Sequence, residues 1–310
     1  MTDNRRPAPE RQQPITLLYT LESFRGGLPN YASIGCTIVF IFCFLTIVEL
    51  TLRQLLVTNQ HLHPLLEDEI KRKILSRHIG VDFVSCFSVG FIGWKARYIL
   101  SKASSMVPAW HTISLRLGHT ATTTTRVQYE PRMFRYHPEA ARIMVFFFSF
   151  QLKNLYDTIV WNDGPEFIAH HVFAMISSGG GIVFGASHFY GIFYFGISEL
   201  STGILTVLIN FDDEYGIKGM AEAFPLLRSM LGGLFAVSFV VIRVFWWRNL
   251  TYQYFRDMGQ AFREEHPRIV GPEIKIWFYI NNLSLGFITL LQIIWLFEII
   301  RIATRELMAM

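Results

Sequence analysis

The chain has 310 residues, of which 51% are hydrophobic and only 17% are charged, and its mean hydropathy is +0.32. Typical soluble domains carry about 25% charged residues, so this composition argues against a soluble protein and predicts an integral membrane protein. The formal net charge is +4. Because the 28 basic residues are scattered between apolar runs, they form no continuous stripe of the kind that binds nucleic acid.

Seven apolar segments are predicted to cross the membrane, because a charged side chain near the bilayer centre costs at least about 2.5 kcal/mol. They cover residues 27–52, 79–100, 142–163, 166–187, 189–211, 225–248 and 274–301. Three of them are weaker candidates, because their charges would need partners from other helices: Asp82 in 79–100, Lys153 and Asp157 in 142–163, and Arg243 in 225–248. Six spans are therefore the alternative. The sequence thus predicts an all-α bundle of about seven transmembrane helices over residues 27–301. A polar tail, 1–26, precedes this bundle, and a short tail, 302–310, follows it.

The orientation of the bundle is predicted from the distribution of Lys and Arg. The N-terminal side, which includes the loops 101–142 and 248–273, carries more of them than the opposite side, so we expect it to face the cytosol or the mitochondrial matrix. The loop 53–78 opposes this assignment, since it also contains five basic residues. The sequence does not distinguish the endoplasmic reticulum from the mitochondrial inner membrane.

Several polar residues within the spans are predicted to lie together. Tyr156 and Asp157 precede the turn WNDGPE, and His170 and His171 follow it, so antiparallel helices place all four about 6 to 9 Å below one membrane face. Glu199 lies near the middle of the fifth span, about 10 Å deeper by the same counting. The pattern therefore predicts a polar pocket that narrows towards the membrane centre.

Acid/base chemistry is the reaction type that this pocket would suit, because an unperturbed histidine titrates near pH 6.5. A histidine could deprotonate an amine or hydroxyl acceptor while Asp157 or Glu199 orients the imidazole. The predicted catalytic residues are His170, His171 and Asp157, and the predicted lining of a lipid pocket is Tyr156, Lys153, Glu199, Ser201 and Thr202. Alternatively, Lys153 and Asp157, four residues apart, simply pair with each other. No metal is expected, because adjacent histidines on a helix point about 100° apart.

The stretch 155–205 resembles the TLC domain, which is shared by ceramide synthases, translocating-chain-associated membrane proteins and other TLC domain-containing proteins. The resemblance rests on Tyr156-Asp157, on His170-His171 and on the phrase Glu199-Leu200-Ser201-Thr202. It implies acyl-CoA-dependent acylation of a lipid amine, as in ceramide synthases. Those enzymes carry a His-Asp pair where residues 196–201 here read GISELS, and this departure argues against synthase activity.

Two functions follow as expectations. The first is a lipid-handling protein that binds a membrane lipid in the polar pocket, with acyl transfer as the candidate reaction. It would need no cofactor, and acyl-CoA would enter only as a substrate. The second is a non-catalytic accessory subunit that has kept the fold and packs against other subunits of a membrane complex. The expected partners are thus membrane lipids and membrane subunits, and no nucleic acid.

Overall fold

A computed structural model of the chain describes residues 31–103, 126–213 and 216–309, and the predicted tail 1–26 lies outside these ranges. The described residues form helices and short connections, with no strand among them. In chain order the helices are α1 Tyr31–Thr58, α2 Glu69–Arg77, α3 Val84–Ala103, α4 Arg126–Phe134, α5 Pro138–Trp161, α6 Pro165–Phe184, α7 His188–Ile192, α8 Glu199–Leu208, α9 Met220–Ala223, α10 Pro225–Phe239, α11 Trp247–Arg263 and α12 Pro272–Ala309.

Three π-helical segments join some of these helices into longer rods. His78–Phe83 joins α2 to α3, Phe193–Ile197 leads from α7 towards α8, and Val240–Trp246 joins α10 to α11. Wide helical turns of this kind occur frequently at functional sites, because the extra residue changes the direction of side chains. Each of the three segments contributes side chains to the cavity described below.

Six of the rods are long and apolar enough to cross a membrane: Tyr31–Thr58, Glu69–Leu100, Pro165–Phe184, His188–Phe211, Pro225–Arg263 and Pro272–Ile302. The predicted all-α multi-pass architecture is therefore confirmed. The second rod begins earlier than predicted, at Glu69, and α12 continues to Ala309, through residues assigned above to a short tail.

Helix α5 is the segment on which the count of six or seven spans depends. It has 24 residues and a length of about 36 Å, which exceeds the roughly 30 Å hydrocarbon core of a bilayer. Polar residues such as Gln151 and Lys153 make it less apolar than the six rods, but both side chains are buried against other helices. Since α5 packs against α1, α3 and α6, it occupies the place of the third predicted span inside the bundle.

Tight reversals make consecutive helices antiparallel. Helix α5 ends at Asn162, whose φ of 56° is left-handed, and Gly164 and Pro165 then start α6. Helix α6 ends at Gly185, also left-handed at φ 56°, and α7 starts after Ser187. Asn and Gly tolerate this conformation best, and Pro is favoured in the first turn of a helix. The reversals bring the second half of α5 beside the first half of α6.

Glycines allow the helices to approach closely at two contacts. A Cβ on Gly93 would lie 2.9 Å from the backbone nitrogen of Ile197, so α3 packs directly on the Phe193–Ile197 segment. A Cβ on Gly180 would overlap the Trp277 indole, at 1.8 Å, so the triple glycine of α6 accommodates α12. Small residues at helix contacts are typical of membrane bundles.

Candidate functional site

A cavity of about 830 Å³ lies inside the bundle. Its lining follows one face of α5, where Met144, Phe147, Gln151, Asn154, Thr158 and Trp161 recur at intervals of three or four residues. The distance from Trp161 to Met144 along the helix is about 26 Å, so the cavity extends through most of the membrane thickness. Its volume falls in the range of about 300 to 1,000 Å³ typical of small-molecule sites.

One end of the cavity is open and the other is closed. At the start of α6, Phe167 is 43% exposed, and Trp295 on α12, another lining residue, is 42% exposed. At the other end the lining residues Ala186, Tyr190 and Tyr254 are almost fully buried. The opening therefore lies on the membrane face opposite the start of α1, and the cavity ends blindly near the α6–α7 connection.

The paired histidines lie in the half of the cavity nearer the opening. The ring centres of His170 and His171 are 5.3 Å apart, and both residues line the cavity. Nδ1 of His171 lies 2.6 Å from Oε1 of Gln151, which holds this ring against α5. Among the residues that the structure describes, His170 makes no hydrogen bond, so its ring nitrogens are available to a molecule in the cavity.

An ion pair lies deeper in the same cavity. Nη2 of Arg243 is 3.2 Å from Oε1 of Glu199, and it donates a hydrogen bond of 2.7 Å to Oγ1 of Thr202. Nε of Arg243 donates to Oγ of Ser201 at 3.1 Å, and the Cys86 thiol approaches Oε2 of Glu199 at 3.6 Å. The Glu-Leu-Ser-Thr phrase is thus the binding surface for one arginine, which the π-helical segment Val240–Trp246 presents to it.

More polar contacts line the open half. Arg77 bonds Asp163 in a bidentate pair at 2.5 and 3.3 Å, where Asp163 belongs to the turn between α5 and α6. Nδ1 of His78 lies 2.9 Å from Oδ1 of Asn210. All four residues border or support the cavity mouth, which therefore carries charges of both signs.

Three of the predicted site residues lie outside the cavity lining. Nζ of Lys153 bonds both carboxylate oxygens of Asp157, at 2.7 and 2.5 Å, and Oε2 of Glu49 at 2.8 Å. This buried cluster ties α1 to α5. Tyr156 is 55% exposed on the outer surface of α5 and packs its ring against Phe42 of α1.

The structure therefore divides the predicted set. His170, His171, Glu199, Ser201 and Thr202 come together around the cavity, whereas Lys153, Tyr156 and Asp157 lie between α5 and α1 or on the outside. Catalytic roles for His170, His171 and Asp157 stay predictions. Sequence reasoning did not assign Arg243, Asp82 or Gln151 to the site, although charges inside apolar spans were a signal for the first two.

Near the blind end, His188 at the start of α7 connects the residue that precedes α5 to the last turn of α6. Nδ1 of His188 accepts from the backbone N–H of His137 at 3.1 Å, and Nε2 of His188 lies 3.1 Å from the carbonyl oxygen of Gly181. Burial, together with the nearby positive charge of Arg135, lowers the pKa of His137 to about 4. His137 is therefore neutral at pH 7.

Within residues 31–103, 126–213 and 216–309, no group of three or more His, Cys, Asp or Glu side chains is arranged to hold a metal ion.

A family model described as the TLC domain matches residues 31–301, which is most of the chain. The chain belongs to the TLC domain family. The predicted resemblance is thus confirmed, and it extends from α1 into α12. In this TLC domain the stretch 196–201, which differs from the ceramide synthase pattern, supplies Glu199 as the partner of Arg243. No curated protein and no solved structure matches the sequence.

Proposed function

We propose that this TLC-family protein binds a membrane lipid, with the headgroup in the open half of the cavity and a hydrocarbon chain in the blind half. The observation that carries this proposal is the change in lining along the cavity. The open half contains His170, His171 and the Arg243–Glu199 pair. Beyond them Phe147, Phe195 and Leu285 line the cavity, together with polar residues such as Tyr254 and Ser284 that are hydrogen-bonded within the protein, and none of the described lining residues there is charged. An amphipathic molecule matches both halves.

The energetics favour such an occupant over a water-soluble one. Burying a polar group without a hydrogen bond costs about 1 to 3 kcal/mol in proteins, so a wholly polar ligand would be poorly accommodated between the phenylalanines. Each CH₂ group buried there contributes about 0.8 kcal/mol. A headgroup that carries hydroxyl, amine or phosphate groups would instead find hydrogen-bond partners at His170 and Arg243.

Acyl transfer to the bound lipid is a second and more specific candidate. It is favoured by His170, whose ring borders the cavity without a hydrogen-bond partner among the described residues, while His171 is held by Gln151. In this reaction His170 would take the proton of a hydroxyl or amine as that group attacks the thioester carbonyl of an acyl-CoA substrate, the C–S bond would break, and His170 would return the proton to the departing thiolate. Asp157 has no part in this scheme, because its carboxylate pairs with Lys153.

The first test is purification in mild detergent, with native mass determination and lipid mass spectrometry on the same sample. We expect one lipid class to be enriched over the bulk membrane composition. Ala174→Phe places a ring in the cavity and should abolish the enrichment. Val183→Phe is the matched control, since Val183 is on the same helix, is 40% exposed and does not line the cavity.

The outcomes separate the candidate functions. Enrichment that Ala174→Phe removes and Val183→Phe retains supports lipid binding and justifies acyl-transfer assays with His170→Ala. Bulk lipid composition in both the wild type and the variants would refute lipid binding. If the chain then elutes only within a large hetero-oligomer, the accessory-subunit function becomes the better proposal.

A further inference from the structure

Met144 of α5 is a flexible side chain at the blind end of the cavity, where Ala186 and Tyr190 also line the wall. Met144 is 1% exposed and lines the cavity together with Gly181 and Gly191. A Cβ on Gly181 would lie 2.8 Å from Sδ of Met144, and a Cβ on Gly191 would lie 2.2 Å from Cε. The end of the methionine side chain therefore fills the space that these two glycines leave open.

Another part of the wall at this end, Tyr190, is held in place by hydrogen bonds. The hydroxyl of Tyr190 donates to Oδ2 of Asp257 at 2.6 Å, and both residues are almost fully buried. Arg132 bonds the same carboxylate through Nε and Nη2, at 2.6 and 2.8 Å. Because these charges pair with one another, the wall cannot retreat without exposing an unpaired buried ion, which is costly. Met144 is thus the adjustable part of this end.

The depth of the apolar half can be measured along α6. From His171 to Gly181 the helix rises about 15 Å. This depth equals about half of the 30 Å hydrocarbon core, which is the length available to the chain of one lipid leaflet. Ala174 and Ser177 line the interval on α6, and Phe147 lines it on α5. An extended chain whose headgroup lies beside the histidines would reach Met144.

We infer that Met144 sets the maximum length of the hydrocarbon chain that the cavity accepts. The inference rests on the proposed function, because it applies to a lipid held in this cavity. It adds a selection rule: the bound lipid has a chain of about leaflet length that lies extended along α6, and longer chains are excluded. Each CH₂ group added to a hydrocarbon chain that still ends short of Met144 should raise affinity about fourfold. A CH₂ group added beyond that length should give no further gain.

The experiment uses the full chain in mild detergent and an equimolar series of saturated monoacylglycerols of increasing chain length, with native mass spectrometry as the readout. The wild type should show affinity that rises with length and then stops at a cut-off. Met144→Ala should move the cut-off to chains about two CH₂ groups longer, with affinity for them increased about 15-fold. Gly191→Ala should move it to shorter chains, because the added methyl group pushes the end of Met144 into the cavity.

Two further variants serve as controls. Val145→Ala removes buried volume from the next residue of α5, which does not line the cavity, and should leave the cut-off unchanged. Met144→Leu nearly conserves side-chain volume, so it should fold even if Met144→Ala does not. Because the leucine side chain is shorter, this variant should move the cut-off to chains about one CH₂ group longer.

Distinct results overturn the inference and the proposed function. If the wild type shows a cut-off that no Met144 variant moves, the inference is wrong and lipid binding stands. If the wild type retains no monoacylglycerol of any length, the inference is wrong, and the proposed function is wrong as well if no lipid class is enriched on purification. A cut-off that moves equally in Val145→Ala would also overturn the inference, because general loosening of α5 would then explain it.

Discussion

The cluster of Lys153, Asp157 and Glu49 leads to a prediction that tests whether these residues stabilise the fold or form part of a lipid-binding site. Lys153 is 2% exposed and makes three bonds of 2.5 to 2.8 Å to two carboxylates on α1 and α5. Lys153→Met removes the only positive charge of this cluster and retains most of the side-chain volume. The buried carboxylate of Asp157 and that of Glu49, whose side chain is 20% exposed, would then lie close together without Lys153 between them.

The magnitude follows from that burial. Breaking a buried ion pair by removing one partner costs about 3 to 5 kcal/mol. An exposed pair contributes about 0 to 1 kcal/mol. The chain offers a matched exposed pair, Glu69 and Lys73, with the same spacing of four residues, a distance of 2.7 Å and side chains that are 60% and 36% exposed. We therefore expect Lys153→Met to reduce the free energy of unfolding by about 3 to 5 kcal/mol and Lys73→Met by less than about 1 kcal/mol.

The assay is reversible unfolding of the purified protein in mixed micelles of a mild detergent and sodium dodecyl sulfate, with lipid enrichment measured on the folded fraction. The triple variant Glu49→Gln, Lys153→Met, Asp157→Asn leaves no unpaired charge and should recover most of the lost stability. Lipid enrichment should persist in folded Lys153→Met, because the cluster lies outside the cavity lining. A stability loss as small as that of Lys73→Met would refute the reasoning, since it would mean that water reaches Lys153.

Three other predictions concern the site and its surroundings. A double-mutant cycle of Glu199→Gln and Arg243→Met, measured on the free energy of unfolding, should give a coupling energy of at least about 1 kcal/mol, because both side chains are about nine-tenths buried. Additive losses of stability would indicate that the pair is hydrated. Because the pKa of His137 is lowered to about 4, its contribution to stability is complete above pH 6.5 and is lost as the pH falls towards 4. The melting temperature should therefore decrease over this interval, and it should decrease less in His137→Asn; equal slopes would contradict the assignment. Gly93→Ala should reduce the free energy of unfolding by about 1 to 3 kcal/mol, because the added methyl group would meet the backbone of Gly196 at about 3 Å. No change in the same unfolding assay would show that α3 can shift outward.

The relation between the two histidines illustrates how far local sequence determines the site. The number of residues on either side of the turn WNDGPE predicted that His170 and His171 lie near the start of the helix that follows α5. Helical geometry predicted that the two side chains point in different directions. In the structure both rings line the cavity, and only His171 is hydrogen-bonded to α5, through Gln151, among the described residues. Only the rotation of α5 about its own axis decided that Gln151, and not Asp157, faces the histidines.

The sequence by itself determined the membrane class, the helical architecture, the antiparallel reversal at residues 162–164 and the family. The first three follow from local composition and from the cost of burying charge in lipid, which does not depend on the partner of each helix. The family was indicated by the motif residues that carry the resemblance. The position of Lys153 and Asp157 was decided by tertiary structure, because a charge in an apolar span can be neutralised by any helix that packs against it, and here Glu49 of α1 does so.

The partner of Glu199 was likewise set by tertiary packing, since Arg243 lies more than forty residues further along the chain and reaches it only through the π-helical segment. The cavity and its blind end also depend on helices that are distant in sequence, such as α5 and α12. Side-chain periodicity shows which face of a helix is polar. It does not show which of the neighbouring helices that face meets, and in a membrane bundle that choice is made by close packing and by the pairing of buried charges.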